Sequence, residues 1–319
     1  MALINVKVEK VIEEAEGVKA FLLAKSGFFN LPHYTAGSHI DVHCGKGIIR
    51  QYSLCGMPDD RKHYMIAVKR EDTSRGGSEQ MHDEIVIGQA LEIGSPRNNF
   101  PLDEAASHVT LLAGGIGITP IIAMADRLHT LSIPFELHYF SRSDQHAAFR
   151  DRMQSGGYAS SVKFHFGLDV PQTTECLRSI FKQRPTEGQT YICGPGPFMD
   201  SAEKIAGQNW PTDSIHLERF SANPALASGT TKPFTLELAQ SGLTFEIGAN
   251  ETILNVLEEN DFEAPFSCEQ GVCGTCVTDV IAGTPEHRDS FLNEKDRASG
   301  KRMCICVSRA AGRKITLDL

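Results

Sequence analysis

Apolar and polar positions alternate with a period of two over residues 3–12 and again over 18–25. The polar run Glu13-Glu14-Ala15-Glu16-Gly17 between them reads as a turn. In the second segment Val18, Ala20, Leu22 and Ala24 hold one phase, as one face of a strand does. Three further short segments alternate in the same way: His39–Cys44, Ile48–Leu54 and Tyr64–Arg70. Glycine and proline punctuate them, and the one helical stretch is Glu79–Val86. Many short strands with little helix predict a small antiparallel β-barrel. Prolines at both sides of Ser95–Pro101 end it near residue 102.

The pattern then changes. Apolar runs at His108–Ala113, Phe135–Phe140, Val162–Phe166 and Thr190–Cys193 alternate with helical stretches at Ile121–Leu128, His146–Met153, Thr174–Arg184 and Pro197–Gly207. Strand–helix alternation predicts an α/β parallel sheet covered on both faces, with ligands at the carboxyl ends of its strands. Ser221–Pro233 is small, polar and Pro/Gly-bearing, as a linker is. Beyond it come a hairpin (Phe234–Ala239 and Leu243–Ile247), an amphipathic helix (Glu251–Asn260), a strand (Val277–Ile281) and a short helix (Ser290–Ala298). The expected organisation is a barrel over 1–102, an α/β domain over 103–222, a linker over 223–232 and an α+β domain over 233–319.

Composition adds constraints. Across 319 residues the formal charge is −9, which argues against nucleic acid and anionic membrane surfaces as partners. No apolar run is long enough to span a bilayer, and the N-terminus lacks the layout of a signal peptide, so a cytoplasmic protein is expected. There are nine cysteines, an odd number, and five of them lie between Cys268 and Cys306. Clustering of that kind in a chain without an export signal favours metal over disulfides.

Cys268-Glu-Gln-Gly-Val-Cys273-Gly-Thr-Cys276 has the plant-type spacing for a two-iron, two-sulfur (2Fe-2S) cluster. The fourth ligand is Cys304 or Cys306. Cys306 leaves 29 residues after Cys276, the usual plant-type interval, and is preferred; Cys304 is then a bystander. Gly271 and Gly274 let the backbone wrap a cluster and point N–H groups at sulfur.

Two pieces of the barrel suit a flavin. In Arg50-Gln51-Tyr52-Ser53-Leu54 an arginine offers a fork for a phosphate, an aromatic ring can cover a flat ring, and a hydroxyl can bond ring or ribitol atoms. Ala67-Val68-Lys69-Arg70 is followed by Arg75-Gly76-Gly77-Ser78, a glycine turn before a helix and a natural phosphate seat. In the α/β region Gly114-Gly115-Ile116-Gly117-Ile118-Thr119-Pro120 follows a strand and opens a helix, the context of a nucleotide loop. It is not the Gly-x-Gly-x-x-Gly fingerprint, because Pro120 holds the third glycine position. Ser141-Arg142-Ser143 and Cys193-Gly194-Pro195-Gly196-Pro197 end two further strands of this sheet. Arg142 could face a 2′-phosphate, which leaves NADPH open beside NADH. His138 and His165 lie within strands and read as packing or surface residues rather than ligands.

Taken together, Arg50–Leu54, Arg75–Ser78, Gly114–Pro120, Cys193–Pro197, His216-Leu-Glu-Arg-Phe220 and the cysteine motif with Cys306-Val-Ser-Arg-Ala resemble the phthalate dioxygenase reductase family, especially its vanillate demethylase reductase-like members. The resemblance runs the length of the chain. It implies a flavin domain, a nicotinamide domain and a β-grasp, ferredoxin-like domain in that order. It implies FMN as flavin and NADH as donor, Phe220 near the flavin ring, and Cys193, Gly194 and Pro195 flanking the nicotinamide. It also implies a protein that passes single electrons to the terminal oxygenase component of a Rieske-type system; a monomer is expected. A stand-alone NADH-dependent ferric or quinone reductase would carry the same residues, and a zinc-stabilised binding protein would be colourless where a flavin and a cluster absorb.

Overall fold

The computed structural model describes residues 3–25, 27, 30–45, 47–72, 76–221 and 232–319. The chain divides into two compact units, Met1–Glu218 and Arg219–Leu319. The expected linker 223–232 lies, apart from Lys232, outside the described residues.

The first unit begins with strands Ile4–Ala15 (β1), Val18–Lys25 (β2), Ser38–Gly45 (β3), Ile48–Ser53 (β4), His63–Lys69 (β5), Ala90–Ile93 (β6) and Arg97–Asn98 (β7). They form one antiparallel sheet in the order β4-β3-β6-β1-β2-β5, with β7 on β3. An antiparallel bridge between Leu54 and Ile66 joins the two ends of that order. The Cys55 N–H donates to the Met65 carbonyl there at 2.9 Å. The sheet is thereby closed, which removes its free edges.

The polar run Glu13–Gly17 is mostly strand rather than turn. Register slips at Val8/Lys10 and Glu13/Ala15 let the strand continue to Ala15, and the chain reverses at Glu16-Gly17, with Gly17 at φ +72°. The phase read from Val18, Ala20, Leu22 and Ala24 is the outer one. Phe21 and Leu23 fill the barrel with Val6, Val8, Ile40, Val42 and Ile66, and each of these seven side chains is fully buried. Full burial of each such side chain stabilises by roughly 1.5–3 kcal/mol, so the bulky pair fixes the register against the small-residue pair. Val18 and Ala20 instead belong to a second core shared with the α/β region. Helix Gly77–Asp83 (α1) is earlier than the expected Glu79–Val86, and Val86 stands outside it and exposed.

The same unit continues with strands Val109–Gly114 (β8), Phe135–Ser141 (β9), Val162–Phe166 (β10), Gln189–Cys193 (β11) and Ile215–Glu218 (β12). They form a parallel sheet in the order β10-β9-β8-β11-β12. Helices Ile118–Leu131 (α2), Arg150–Ser155 (α3), Val170–Ile180 (α4) and Gly196–Ala206 (α5) cover it. Leu111, Ala113, Leu137 and Tyr139 pack in a core with α2, while Leu112, Phe140 and Ile192 pack with Leu177 of α4 and Met199 of α5. Burial on both faces is why β8, β9 and β11 read as apolar runs. Two helices differ from expectation. α3 starts at Arg150 rather than His146, behind a short turn at Asp144–His146. α4 starts at Val170 rather than Thr174 because Asp169 caps it: its carboxylate accepts from the Gln172 N–H at 2.8 Å and Gln172 returns the bond at 3.0 Å.

The second unit holds Phe234–Leu238 (β13), Thr244–Ile247 (β14), Ile253–Glu259 (α6), Val277–Ala282 (β15), Pro285–Glu286 (β16), Glu294–Ser299 (α7), Arg302–Cys304 (β17), Arg309–Ala310 (β18) and Lys314–Leu317 (β19). Its mixed sheet runs β14-β13-β19-β15-β17, with β13 and β19 parallel, and β16 pairs with β18. Ile253, Leu254 and Leu257 of α6 pack on Leu236, Ile315 and Leu317. No helix among the described residues is long and apolar enough to cross a membrane.

Candidate functional site

The two pieces singled out in the barrel meet. A Cβ on Gly77 would lie 2.5 Å from Cγ of Arg50, and one on Gly76 would lie 2.9 Å from Ile48. The glycine turn therefore sits directly on β4, and a side chain at 77 would push the arginine aside. Gly76 has φ +88°. Arg50 reaches back to the Ile49 carbonyl at 2.8 Å, and the Ser78 hydroxyl accepts from the Glu71 N–H at 3.2 Å. Gln51 points the other way, donating to Asp41 at 3.1 Å, and Asp41 is held by both arms of Arg97 at 2.7 and 2.8 Å. Tyr52 is half-buried against the barrel core. On β5, Ala67 joins the shared core, Val68 fills the barrel and Lys69 pairs with Glu71 at 2.9 Å. Arg75 lies outside the described residues.

At the carboxyl ends of the parallel strands two loops converge, the one after β8 and the one after β11. A Cβ on Gly117 would lie 2.2 Å from the Cys193 carbonyl oxygen, and one on Gly114 would lie 2.9 Å from Pro195. A Cβ on Gly194 would lie 2.9 Å from the Phe198 ring. Gly115 is different: it has φ +52° and nothing within 4 Å of such an atom, so this backbone faces open space. The Thr119 hydroxyl donates to Ile116 at 3.0 Å and braces the turn. Pro120 sits in the first turn of α2. Ser141 closes β9, its carbonyl accepting from the Gly167 N–H at 3.1 Å. Arg142 follows, exposed, with no carboxylate partner among the described residues.

Sequence reading passed over Glu218 as an individual residue. It ends β12 opposite Cys193 of β11, and its carboxylate is hydrogen-bonded by Ser53 of β4. Its Oε2 is closed to solvent and has no partner among the described residues. Burial pushes its pKa up to about 8, partly offset by the Ser53 bond, so it carries a proton at neutral pH. Cys193 is fully buried, and burial raises its thiol well above the ordinary range, so it too is neutral. Ser53, Cys193 and Glu218 come from strands far apart in sequence, and nothing local in His216-Leu-Glu-Arg-Phe220 marks the carboxylate. An unpartnered buried carboxyl oxygen beside a hydroxyl and a thiol suits a polar ring edge. Phe220 stands two residues beyond β12, at the start of the second unit, and is 40% exposed.

In the second unit the thiols form two sets. Cys268 and Cys273 are hydrogen-bonded to each other, and Cys276 lies 3.1 Å from Cys306. Among the described residues no three His, Cys, Asp or Glu side chains converge as one mononuclear ion would require. Two pairs fit a two-iron cluster, in which each iron takes two protein sulfurs. Crowding sets the protonation. Cys268 draws the Cys273 thiol below its ordinary range, and Cys304 and Cys306 draw Cys276 below it. The Gln270 N–H points at Cys268 Sγ at 3.3 Å and the Thr275 N–H at Cys273 Sγ at 3.5 Å. Cys306 faces both sets: it feels Cys268 and accepts from the Gly271 N–H. Cys304 feels Cys276 and Asp289 and is fully buried in the core, on β17 opposite Val277. Gly274 has φ +74°, and a Cβ there would lie 2.2 Å from the Phe291 ring.

Comparison with known proteins gives consistent relatives. Residues 236–311 match the 2Fe-2S iron-sulfur cluster binding domain family. The chain is 40% identical over 309 residues to the vanillate O-demethylase oxidoreductase of Pseudomonas putida, covering 96% of this chain and 97% of that protein. It is 37% identical over 317 residues to the phthalate dioxygenase reductase of Burkholderia cepacia, covering 99% and 97%. A solved phthalate dioxygenase reductase, described as a modular structure for electron transfer from pyridine nucleotides to [2Fe-2S], superposes with a TM-score of 0.76 at 37% identity, over 100% of this chain and 98% of that one.

Proposed function

The chain belongs to the phthalate dioxygenase reductase family, and from that premise we propose how its own residues serve the work of a reductase component of a multicomponent oxygenase. Bound FMN would supply the conversion of a hydride from NADH into single electrons, and a bound 2Fe-2S cluster would supply their one-electron exit. Everything else asked of the protein is binding, orientation and electrostatics.

Arg50 holds the FMN phosphate from beside the Gly76–Ser78 turn, assisted by Arg75, while Gln51, Tyr52, Ser53 and the β5 segment Ala67–Lys69 line the flavin. The convergence of Ser53, Cys193 and Glu218 is the observation that carries this reading. Ser53 and neutral Glu218 share a proton at the edge where the flavin ring binds, and the uncharged Cys193 thiol keeps that edge free of negative charge. The open backbone at Gly115, flanked by Gly114 and Gly117, takes the nicotinamide dinucleotide's pyrophosphate. Thr119 and Pro120 fix that turn. Cys193, Gly194 and Pro195 flank the nicotinamide, and Ser141 and Arg142 the adenosine ribose.

In the second unit, of β-grasp type, Cys268 and Cys273 hold one iron and Cys276 and Cys306 the other. The electron leaves for the Rieske-type centre of a terminal oxygenase, and the reductase works as a cytoplasmic monomer. Removing residues 233–319 tests the order of the groups: NADH-dependent reduction of a two-electron dye is expected to survive while reduction of the oxygenase is lost. Oxygenase coupling retained by the shortened chain would overturn the reading. Acid extraction of the flavin, with kinetics on NADH and NADPH, checks the choice of FMN and of the unphosphorylated donor.

A further inference from the structure

The two cysteine-bearing segments of the second unit are joined through a residue that belongs to neither. Asp289 lies between β16 and α7, and it is fully buried. Both of its carboxylate oxygens are engaged. Oδ2 accepts from the Leu292 N–H at 2.8 Å and from the Phe291 N–H at 3.2 Å. Oδ1 accepts from the Ser308 hydroxyl at 3.2 Å. That hydroxyl accepts in turn from the Arg288 N–H at 3.1 Å, so its own proton is the one given to Asp289. Every group within hydrogen-bond reach of the carboxylate therefore donates to it.

These bonds reach both sets of thiols. Ser308 stands two residues after Cys306, is fully buried, and its N–H returns to the Cys304 carbonyl at 2.9 Å. On the other side the Ser290 N–H donates to the Gly271 carbonyl, inside the cysteine loop, at 2.8 Å. Gly271 has φ +66°, and a Cβ there would lie 2.6 Å from Cγ2 of Val307 and 2.9 Å from Cα of Asp289. The cysteine loop, the turn that carries Cys306 and the Asp289 segment thus meet at one point, and Gly271 gives Cys306 its N–H from there. The charge at that point is loosely balanced. Arg297 of α7 stands 3.8 Å from Oδ2, with its hydrogen bond spent on the Asp289 carbonyl at 2.5 Å. His287 Nδ1 is 3.6 Å from Oδ1 and makes no hydrogen bond among the described residues. Arg288 turns its guanidinium to Glu286, at 2.6 and 2.8 Å.

We propose that Asp289 is a positioning residue of the cluster site: it ties the Cys306 turn to the cysteine loop, and its buried negative charge holds the reduction potential of a bound 2Fe-2S cluster down. Reduction adds one negative charge to such a cluster, so a fixed negative charge beside it disfavours the reduced form. N–H groups aimed at sulfur act in the opposite sense, and Asp289 offsets those of Gly271, Gln270 and Thr275. Burial keeps the charge from being screened as an exposed carboxylate is. The effect favours passing the electron on over keeping it. Both roles rest on the reading that Cys268, Cys273, Cys276 and Cys306 hold the cluster.

The test is a potentiometric titration of the purified holoprotein, followed by electron paramagnetic resonance, together with the rate at which a chelator removes iron. Asp289→Asn keeps the size of the side chain and removes its charge. Its midpoint potential is expected to rise by at least about tenfold in the reduction equilibrium, about 59 mV for one electron. Ser308→Ala keeps the charge and cuts the tie. It is expected to hold its potential within that margin and to lose iron at least about threefold faster than the wild type, the worth of a buried hydrogen bond. Equal potentials in the wild type and Asp289→Asn overturn the role of the charge, and iron loss from Ser308→Ala at the wild-type rate overturns the tie. Should Asp289→Asn not take up a cluster, Arg297→Gln gives the same readout with the opposite sign: it strips the carboxylate of its cation, so the potential is expected to fall, and an unchanged potential overturns the role of the charge. A wild-type protein with no cluster absorbance or iron is a different result, which overturns the assignment of the four ligands and this role with it.

Discussion

The two redox regions of this chain are built in opposite ways. In the second unit the cysteine loop supplies three thiols within nine consecutive residues, and a fourth arrives from the strand-and-turn segment that ends at Cys306. In the first unit Ser53, Cys193 and Glu218 come from β4, β11 and β12 and meet only because two sheets share a core. A site written in consecutive residues is legible from spacing. A site assembled by topology is legible only where each contributing strand carries its own signature.

The largest effect sharpens the reading of the consecutive site. Cys306→Ser should abolish the cluster, removing its visible absorbance and its iron, whereas Cys304→Ser should retain both with a loss of stability of roughly 1 kcal/mol from an altered core. Loss of the cluster in Cys304→Ser alone would reverse the assignment. Next comes the assembled site. In Gly117→Ala the new methyl would stand 2.2 Å from the Cys193 carbonyl oxygen, a backbone atom that cannot rotate away. KM for NADH should rise at least about 10-fold, with the cluster spectrum unchanged, for the 1–3 kcal/mol that such overpacking costs. Arg50→Ala should weaken FMN by about 10- to 100-fold, the worth of one hydrogen bond to a charged group, measured by flavin release on dilution.

The smallest effect concerns Glu218, whose pKa is raised to about 8. In the unfolded chain this carboxyl ionises in the ordinary range, so the folded state holds the extra proton between there and about pH 8. Its contribution to stability is therefore fully retained at acid pH and lost as pH rises through that window. Glu218→Gln keeps the neutral form at all pH values. Thermal melts should show the wild type losing ground to the variant as pH rises from 5 to 8, and NADH oxidation should lose its alkaline decline in the variant. Parallel pH profiles for the two proteins would contradict the placement of that proton.

How far the fold could be read follows the same division. The central parallel strands were plain because both faces are buried, and β8 lies at Val109–Gly114 within the apolar run that suggests it. The barrel strands were found, but the phase of β2 that stood out was that of Val18 and Ala20, which pack outward on a core contributed by residues far along the chain. α4 began four residues early because the Asp169–Gln172 box, a side-chain signal, overrode the apolar periodicity. β12 escaped notice: a four-residue edge strand carries too little pattern. Its terminal glutamate was invisible for the same reason, whereas Arg50 and the glycine turn stood out in the sequence.

The central claim is that hydride is collected in the first unit and single electrons leave from the second. Anaerobic NADH titration of the holoprotein, followed by flavin absorbance and by electron paramagnetic resonance, tests it most directly. In the wild type the flavin band should bleach and the signal of a reduced 2Fe-2S cluster should appear; in Cys306→Ser the flavin should still bleach with no cluster signal. A wild-type cluster that stays oxidised while the flavin bleaches, or a reduced-cluster signal that persists in Cys306→Ser, would contradict the account.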